Sequence, residues 1–453
     1  MLKRWPNLRE ILHLLLPMVF TFTLELSVSL IDTIMLGHYD PYHLAAVGLA
    51  SSLWLPLGCF VMGVNFGLTP LVTRHLHGRQ IKLVNIYMSQ ALGVCLTLGI
   101  AMALVVAFVL PFLVTVLANE PETQRLAIQY LWYFSPSIPA LAIIVAYKNL
   151  FEAAGRPHFP LVSACISVSV NVFLNYLLIY GNFGFPELGA VGAAIASTIA
   201  MFLNLTLFFV YDRVFNPVTL FTQLKVKYLL KYGVLLSVGL PAGLAFSLEI
   251  VLFSSITWMI SSFGDLAIGA GQITMSYTSI LFTPLMAISS VATIVVAKSF
   301  SQEGVEGVRA RMRVILLLGL SYNIVCLSLT QIFYMDIPYL FTSDAHVAML
   351  ASGMLVISSW YQIVDMLQTA FTGALRGLRD TRVAMLTFAV SLFGLSLPLG
   401  FWLAHYSPWA EVLTVRGFHL GLGAGLTLLA IVLILRFRFL LNKKQIKQAA
   451  SVF

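Results

Sequence analysis

The chain is 453 residues long, 59% hydrophobic and only 10% charged, with a formal net charge of +8. Soluble domains carry about 25% charged residues, so this composition excludes a water-soluble globular protein and indicates a polytopic membrane protein. The positive balance alone would suit a nucleic-acid partner, but its distribution assigns it to membrane topology and no nucleic acid is expected.

A span needs roughly 20 mainly apolar residues. In chain order, twelve stretches qualify: about 12–36, 44–73, 85–115, 124–152, 160–181, 188–212, 232–262, 267–299, 314–335, 346–375, 383–404 and 418–441. The opening MLKRWPNLREIL has Trp5, Leu8, Ile11 and Leu12 apolar, and is expected to lie on the membrane surface before running into the first span. No cleavable signal peptide is expected. Pro56, Pro136, Pro139, Pro241 and Pro284 fall inside spans or near their ends, tolerable where neighbouring groups satisfy the freed carbonyls. Cys59, Cys95, Cys165 and Cys326 each lie in an apolar run without metal or redox spacing, and read as small core residues.

Of the 26 Lys and Arg residues, 24 fall at the termini and in alternate loops; only Arg125 and Arg416 fall on the other side. The positive-inside rule then places both termini in the cytoplasm, with twelve spans between. The opposite side collects Asp40, Glu120, Glu122, Glu187, Asp265, Asp336, Asp344 and Glu411 as an acidic outer mouth.

The chain repeats. At an offset of 224, LPMVFTFTLEL (16–26) meets LPAGLAFSLEI (240–250), so that Glu25 matches Glu249; at 220, FEAAGRP (151–157) meets FTGALRG (371–377). Two six-helix bundles follow, 1–215 and 232–453, joined by a basic cytoplasmic linker at 216–231. Each copy has an even number of spans, so the halves share one orientation, an arrangement that transporters use with the substrate site between repeats.

Four acids lie inside spans: Glu25, Asp32, Glu249 and Asp365. Such residues are costly in lipid and mark functional sites by default. No Lys or Arg is expected at comparable depth, so each is protonated or faces water and binds a cation. Glu25 and Asp32 are seven residues apart, about two turns, and should share one stripe of the first span. Tyr361, Asp365 and Gln368 make a polar stripe on the tenth. Asn171 and Asn175, four apart, are placed to orient Asp32 or help hold an ion; Gln272 is an accessory polar candidate. Lys148 and Glu152, also four apart, read as a salt bridge at the surface end of the fourth span. No HExxH, GxSxG or GxxxxGK(S/T) pattern occurs, so no enzyme activity is expected, and an ion gradient must supply any energy.

LIDTIMLGH (30–38), LAAVGLASS (44–52), FEAAGRP (151–157), GAVGAAIAST (189–198), VGLPAGLAFSLEIVLF (238–253) and YQIVDMLQTAFTGALRGLRDTR (361–382), in this order on twelve spans, resemble the multidrug and toxic compound extrusion (MATE) family, NorM-like branch. The resemblance implies an all-α membrane fold of two pseudo-symmetric six-helix bundles, V-shaped, that exports organic, often cationic, compounds in exchange for Na+ or H+. It carries the family's coupling acids onto Asp32, Glu249 and Asp365, its fifth-span asparagines onto Asn171 and Asn175, and its outer-cavity glutamine onto Gln272. Glu249 and Asp365 would hold Na+ if sodium is the coupling ion; a carboxylate pair satisfies Na+ or H+ equally, and no other cofactor is expected. Glu25 departs from the family, which has an amide there. Phe253 and Tyr361 would face polyaromatic cations. Small-molecule drugs and the bilayer are the expected partners, with a monomer as default. The alternative is a flippase for lipid-linked precursors or a polysaccharide exporter of similar fold, which an arginine-lined cavity would favour.

Overall fold

The computed structural model describes residues 6–78, 80–118, 120–215, 228–229, 233–409 and 413–450. Among these residues every regular element is a helix. Eleven of these helices are long and apolar enough to cross a membrane, or twelve if one bent pair counts as a single span. The all-α membrane architecture is as the sequence implies.

The helices fall into two compact units, Leu16–Ser247, and Met1–Leu15 with Leu248–Phe453. The first holds most of α1 (Pro6–Tyr39), then α2 (Pro41–Asn65), α3 (Leu68–His77), α4 (Ile81–Leu104), α5 (Leu110–Leu117), α6 (Pro121–Phe134), α7 (Ser137–Ala153), α8 (His158–Leu178) and α9 (Ala190–Phe215). The helix α10 (Gly233–Ile260) divides at Ser247. The second unit takes its remainder with α11 (Asp265–Gln302), α12 (Gly304–Phe333), α13 (Ala345–Gly377), α14 (Thr381–Phe388), α15 (Leu397–His405) and α16 (Arg416–Ala450). The unit boundaries fall inside α1 and α10, the first helix of each repeat. The expected linker at 216–231 lies almost wholly outside the described residues.

The fourth span is broken. The helices α6 and α7 meet at 47° around Pro136, which has no N–H to continue the ladder. Ser135 Oγ donates to the carbonyl of Trp132 at 3.0 Å and Ser137 Oγ to that of Phe134 at 2.6 Å, satisfying groups the break leaves open. Pro139 falls in the first turn of α7, where no N–H is needed.

Small residues set the closest crossings, as expected where lipid removes a hydrophobic drive between helices. In the first unit, a β-carbon on Gly239 of α10 would stand 2.2 Å from the Val64 carbonyl oxygen of α2. In the second, one on Gly373 of α13 would stand 2.1 Å from that of Ser289 in α11. Thr293 Oγ1 bonds the Gly373 carbonyl at 3.0 Å across the same crossing.

Two expectations change. The N-terminal stretch does not lie free on a surface: Ile11 is buried against Ile288, Val291, Ile315 and Leu318 of the second unit, and Glu10 pairs with Lys298 at 2.5 Å and Arg311 at 3.4 Å. Trp5 lies outside the described residues. Cys59 and Cys95 are buried, but Cys165 is exposed and Cys326 half-buried, since their helix faces turn outward. Asp40 and Asp344 also cap helices: Asp40 accepts the amides of Tyr42 and His43, and Asp344 those of His346 and Val347.

Candidate functional site

The first unit builds a polar knot inside its helices. Asp32 Oδ1 accepts from Asn175 Nδ2 at 2.5 Å, and Oδ2 from Ser197 Oγ at 3.3 Å. Asn171 Nδ2 donates to Ser197 Oγ at 3.1 Å, and Asn171 Oδ1 accepts from Asn175 at 3.3 Å. The helices α1, α8 and α9 supply these residues, and all four are buried. Tyr130 of α6 lies within electrostatic range of Asp32. Asn175 Oδ1 has no hydrogen-bond partner among the described residues, an open acceptor beside a carboxylate. Sequence reasoning named Asp32, Asn171 and Asn175 but missed Ser197, although it is the penultimate residue of the quoted GAVGAAIAST stretch.

The second unit builds an acid pair. Glu249 of α10 and Asp365 of α13 are both buried and within electrostatic range of one another. Gln368 Nε2 donates to Asp365 Oδ1 at 2.8 Å and to Thr369 Oγ1 at 2.9 Å. Tyr361, Asp365 and Gln368 all face inward, so the polar stripe of α13 points into the bundle. His419 of α16 stacks on Tyr361, with ring centroids 6.3 Å apart and planes at 7°. Neither of its ring nitrogens meets a partner among the described residues. A lone apolar-run histidine carries no signal that would have found it. Phe253 is half-buried and Gln272 is exposed.

Two basic residues overturn the expectation that no Lys or Arg would pair with these acids. Arg376 is buried, 3.5 Å from Ser289 Oγ, and within electrostatic range of Glu249. Lys148 is buried and pairs with Glu25, its ammonium 2.8 Å from each carboxylate oxygen. The expected Lys148–Glu152 surface bridge is therefore not formed. Both residues are buried, and packing against α1 gives the ammonium a bidentate partner across helices. Glu25 and Asp32, expected to act from one stripe, are engaged by different helices, α7 and α8. Among the described residues, both sites offer carboxylate, hydroxyl and amide oxygens, the ligand type that hard cations take.

A cavity of about 400 Å³ opens among α12, α13 and α16, lined by Arg309, Arg313 and Arg438 with Met312, Leu316, Phe371 and Phe437 among its apolar walls. It includes none of the intramembrane acids.

The MatE family model matches residues 17–177 and 241–402, one copy on each sequence repeat. The chain is 29% identical over 433 residues to a probable multidrug resistance protein NorM of Bacillus cereus, covering 95% of each. It is 30% identical over 435 residues to the probable multidrug resistance protein NorM of Halalkalibacterium halodurans, covering 95% of this chain and 94% of that one. Among solved structures, an outward-facing multidrug resistance MATE family transporter of the MOP superfamily superposes with a TM-score of 0.86 at 18% identity, over 97% of both chains. A MOP superfamily transporter from Pyrococcus furiosus, described as having a binding pocket of reversed polarity, gives 0.87 at 17% identity over the same shares.

Proposed function

The chain belongs to the MatE family, and from that membership we propose that it is a secondary active exporter of organic compounds, often cationic, driven by inward movement of Na+ or H+. It works as a single chain in the bacterial cytoplasmic membrane, with both termini inside. The observation that carries the reading is the buried Glu249–Asp365 pair.

Two carboxylates sharing a buried site repel, and one proton or one monovalent cation relieves that repulsion. Gln368 orients Asp365, and Arg376 partly offsets the charge of Glu249, so the pair gains most from a single positive charge. The Asp32 knot offers a second seat, with Asn175 Oδ1 as an open acceptor beside the carboxylate. Tyr361 and Phe253 would supply aromatic surface to a flat cation. The NorM names of the relatives support drugs as the cargo.

Ethidium efflux from proteoliposomes under an imposed Na+ gradient, then an imposed pH gradient, tests this. Efflux driven by one gradient in the wild type and lost in Asp365→Asn and Glu249→Gln is expected; intact transport in both variants would refute the coupling role.

The arginine-lined cavity favours a second reading, a flippase or exporter for lipid-linked anionic precursors. Arg309, Arg313 and Arg438 over apolar walls match a phosphate headgroup with a chain. Scrambling of a fluorescent phospholipid or polyprenyl phosphate in the same proteoliposomes, abolished by Arg313→Gln with Arg438→Gln, would establish it.

A further inference from the structure

The Lys148 ammonium sits on a seat built for a cation. It lies 2.8 Å from both oxygens of Glu25 and 3.9 Å from the centroid of the Phe22 ring, one turn earlier on α1. A carboxylate and an aromatic face are the two elements that recognise an organic ammonium or a charged heteroaromatic ring. The two partners are unequally accessible: the Lys148 side chain is 8% exposed and that of Glu25 46%. A ligand can therefore approach the carboxylate while the lysine reaches it from behind.

A second acid stands ready for the lysine. Glu152 lies one turn after Lys148 on α7, is 2% exposed, and is within electrostatic range of both Lys148 and Glu25. Its Oε1 has no hydrogen-bond partner among the described residues. An ordinary salt bridge has no need of a buried carboxylate left open beside it, and such an orphan is costly. The repeat adds an independent point. At the offsets of 224 and 220, Glu25 and Lys148 correspond to Glu249 and Gln368. Where the second unit places a neutral amide beside its acids, the first places a tethered cation.

We propose that Glu25 and the face of Phe22 form an organic-cation subsite in the first unit, that the Lys148 ammonium fills it as a built-in placeholder, and that Glu152 receives Lys148 when a ligand enters. The proposal deepens the exporter reading by assigning a substrate subsite, and rests on that reading only for the class of ligand. Lys148 keeps Glu25 from standing charged and unpaired, and sets a threshold that only cations with aromatic surface overcome. The ligand gains the Phe22 face, while Lys148 exchanges one carboxylate for another.

Ethidium binding to the purified full chain in detergent, read by fluorescence polarisation without any gradient, tests it. Lys148→Gln should tighten binding by about tenfold, a change of about 1.4 kcal/mol, and the gain should vanish in the Lys148→Gln, Glu25→Gln double variant. Lys148→Arg, which holds a carboxylate bidentately and stacks better on an aromatic ring, should weaken binding. It also carries the test if Lys148→Gln does not fold, as judged by size-exclusion profile. Glu152→Gln should weaken binding by removing the second seat. Unchanged affinity in folded Lys148→Gln, or a gain that persists without Glu25, would overturn the proposal. Loss of gradient-driven efflux with these binding shifts intact would count against the exporter reading alone.

Discussion

The side-chain amide of Asn175 donates to Asp32 at 2.5 Å across a sequence separation of 143 residues. Hydrogen bonds to charged groups contribute about 1.5–3 kcal/mol, and removing one from a buried acid changes how readily that acid carries charge. Asn175→Ala should therefore lower gradient-driven ethidium efflux by roughly tenfold or more. Asn171→Ala, which reaches Asp32 only through Ser197 and Asn175, should cost less. Equal losses in both variants, measured in proteoliposomes at matched protein content, would argue against a specific role for the Asn175 bond.

The Glu249–Asp365 pair predicts opposite effects on stability and activity. Asp365→Asn keeps the shape of the side chain and its position beside Gln368 but removes one of two repelling charges. Its melting temperature in detergent should rise above wild type while coupled efflux falls by at least about tenfold. A lower melting temperature would mean that the pair already shares a proton and that the asparagine breaks its hydrogen bond.

At the base of the second unit, Arg311 donates to both oxygens of Glu303 at 2.6 Å. This bidentate bond holds the Glu303 carboxyl below the usual glutamate range. A depressed acid contributes stability that is fully present above its unfolded value, near 4.5, and is lost as pH falls through its lowered folded value. The Glu303 side chain is 45% exposed, so solvent screening limits the contribution to below about 1 kcal/mol. Glu303→Gln should melt slightly lower than wild type at pH 7, and the difference should disappear in strong acid. A gap that persists there would locate the effect in packing.

The crossing of α11 and α13 leaves no room for a side chain at Gly373. Gly373→Val should cost about 1–3 kcal/mol through overpacking and reduce the monodisperse fraction on size exclusion. Because α13 carries Asp365, the fraction that folds should also transport poorly. A stable, active Gly373→Val protein would show that the helices can separate without cost.

Much of this protein was legible one residue at a time. Apolar runs of bilayer length report spans because every residue meets the same solvent. Two copies of LP-containing segments report the repeat, and acids inside apolar runs report sites because lipid makes them costly wherever they fall. Asp32, Glu249 and Asp365 stand out in that way, and helical spacing adds Asn171, Asn175, Tyr361 and Gln368; all seven are buried in the structure.

What the sequence could not decide was partnership. Spacing alone pairs Lys148 with Glu152, and only the packing of α7 against α1 carries the ammonium to Glu25. The same limit hid Ser197, Arg376 and His419, whose importance lies in what stands opposite them. It also hid the division of α1 and α10 between units. Hydropathy is a property of a residue and its solvent, whereas a hydrogen bond or ion pair depends on the rotation and crossing of two helices. Those are set by close glycine contacts and proline breaks distributed along the whole chain, so the buried acids were legible in the sequence but their partners were chosen by the fold.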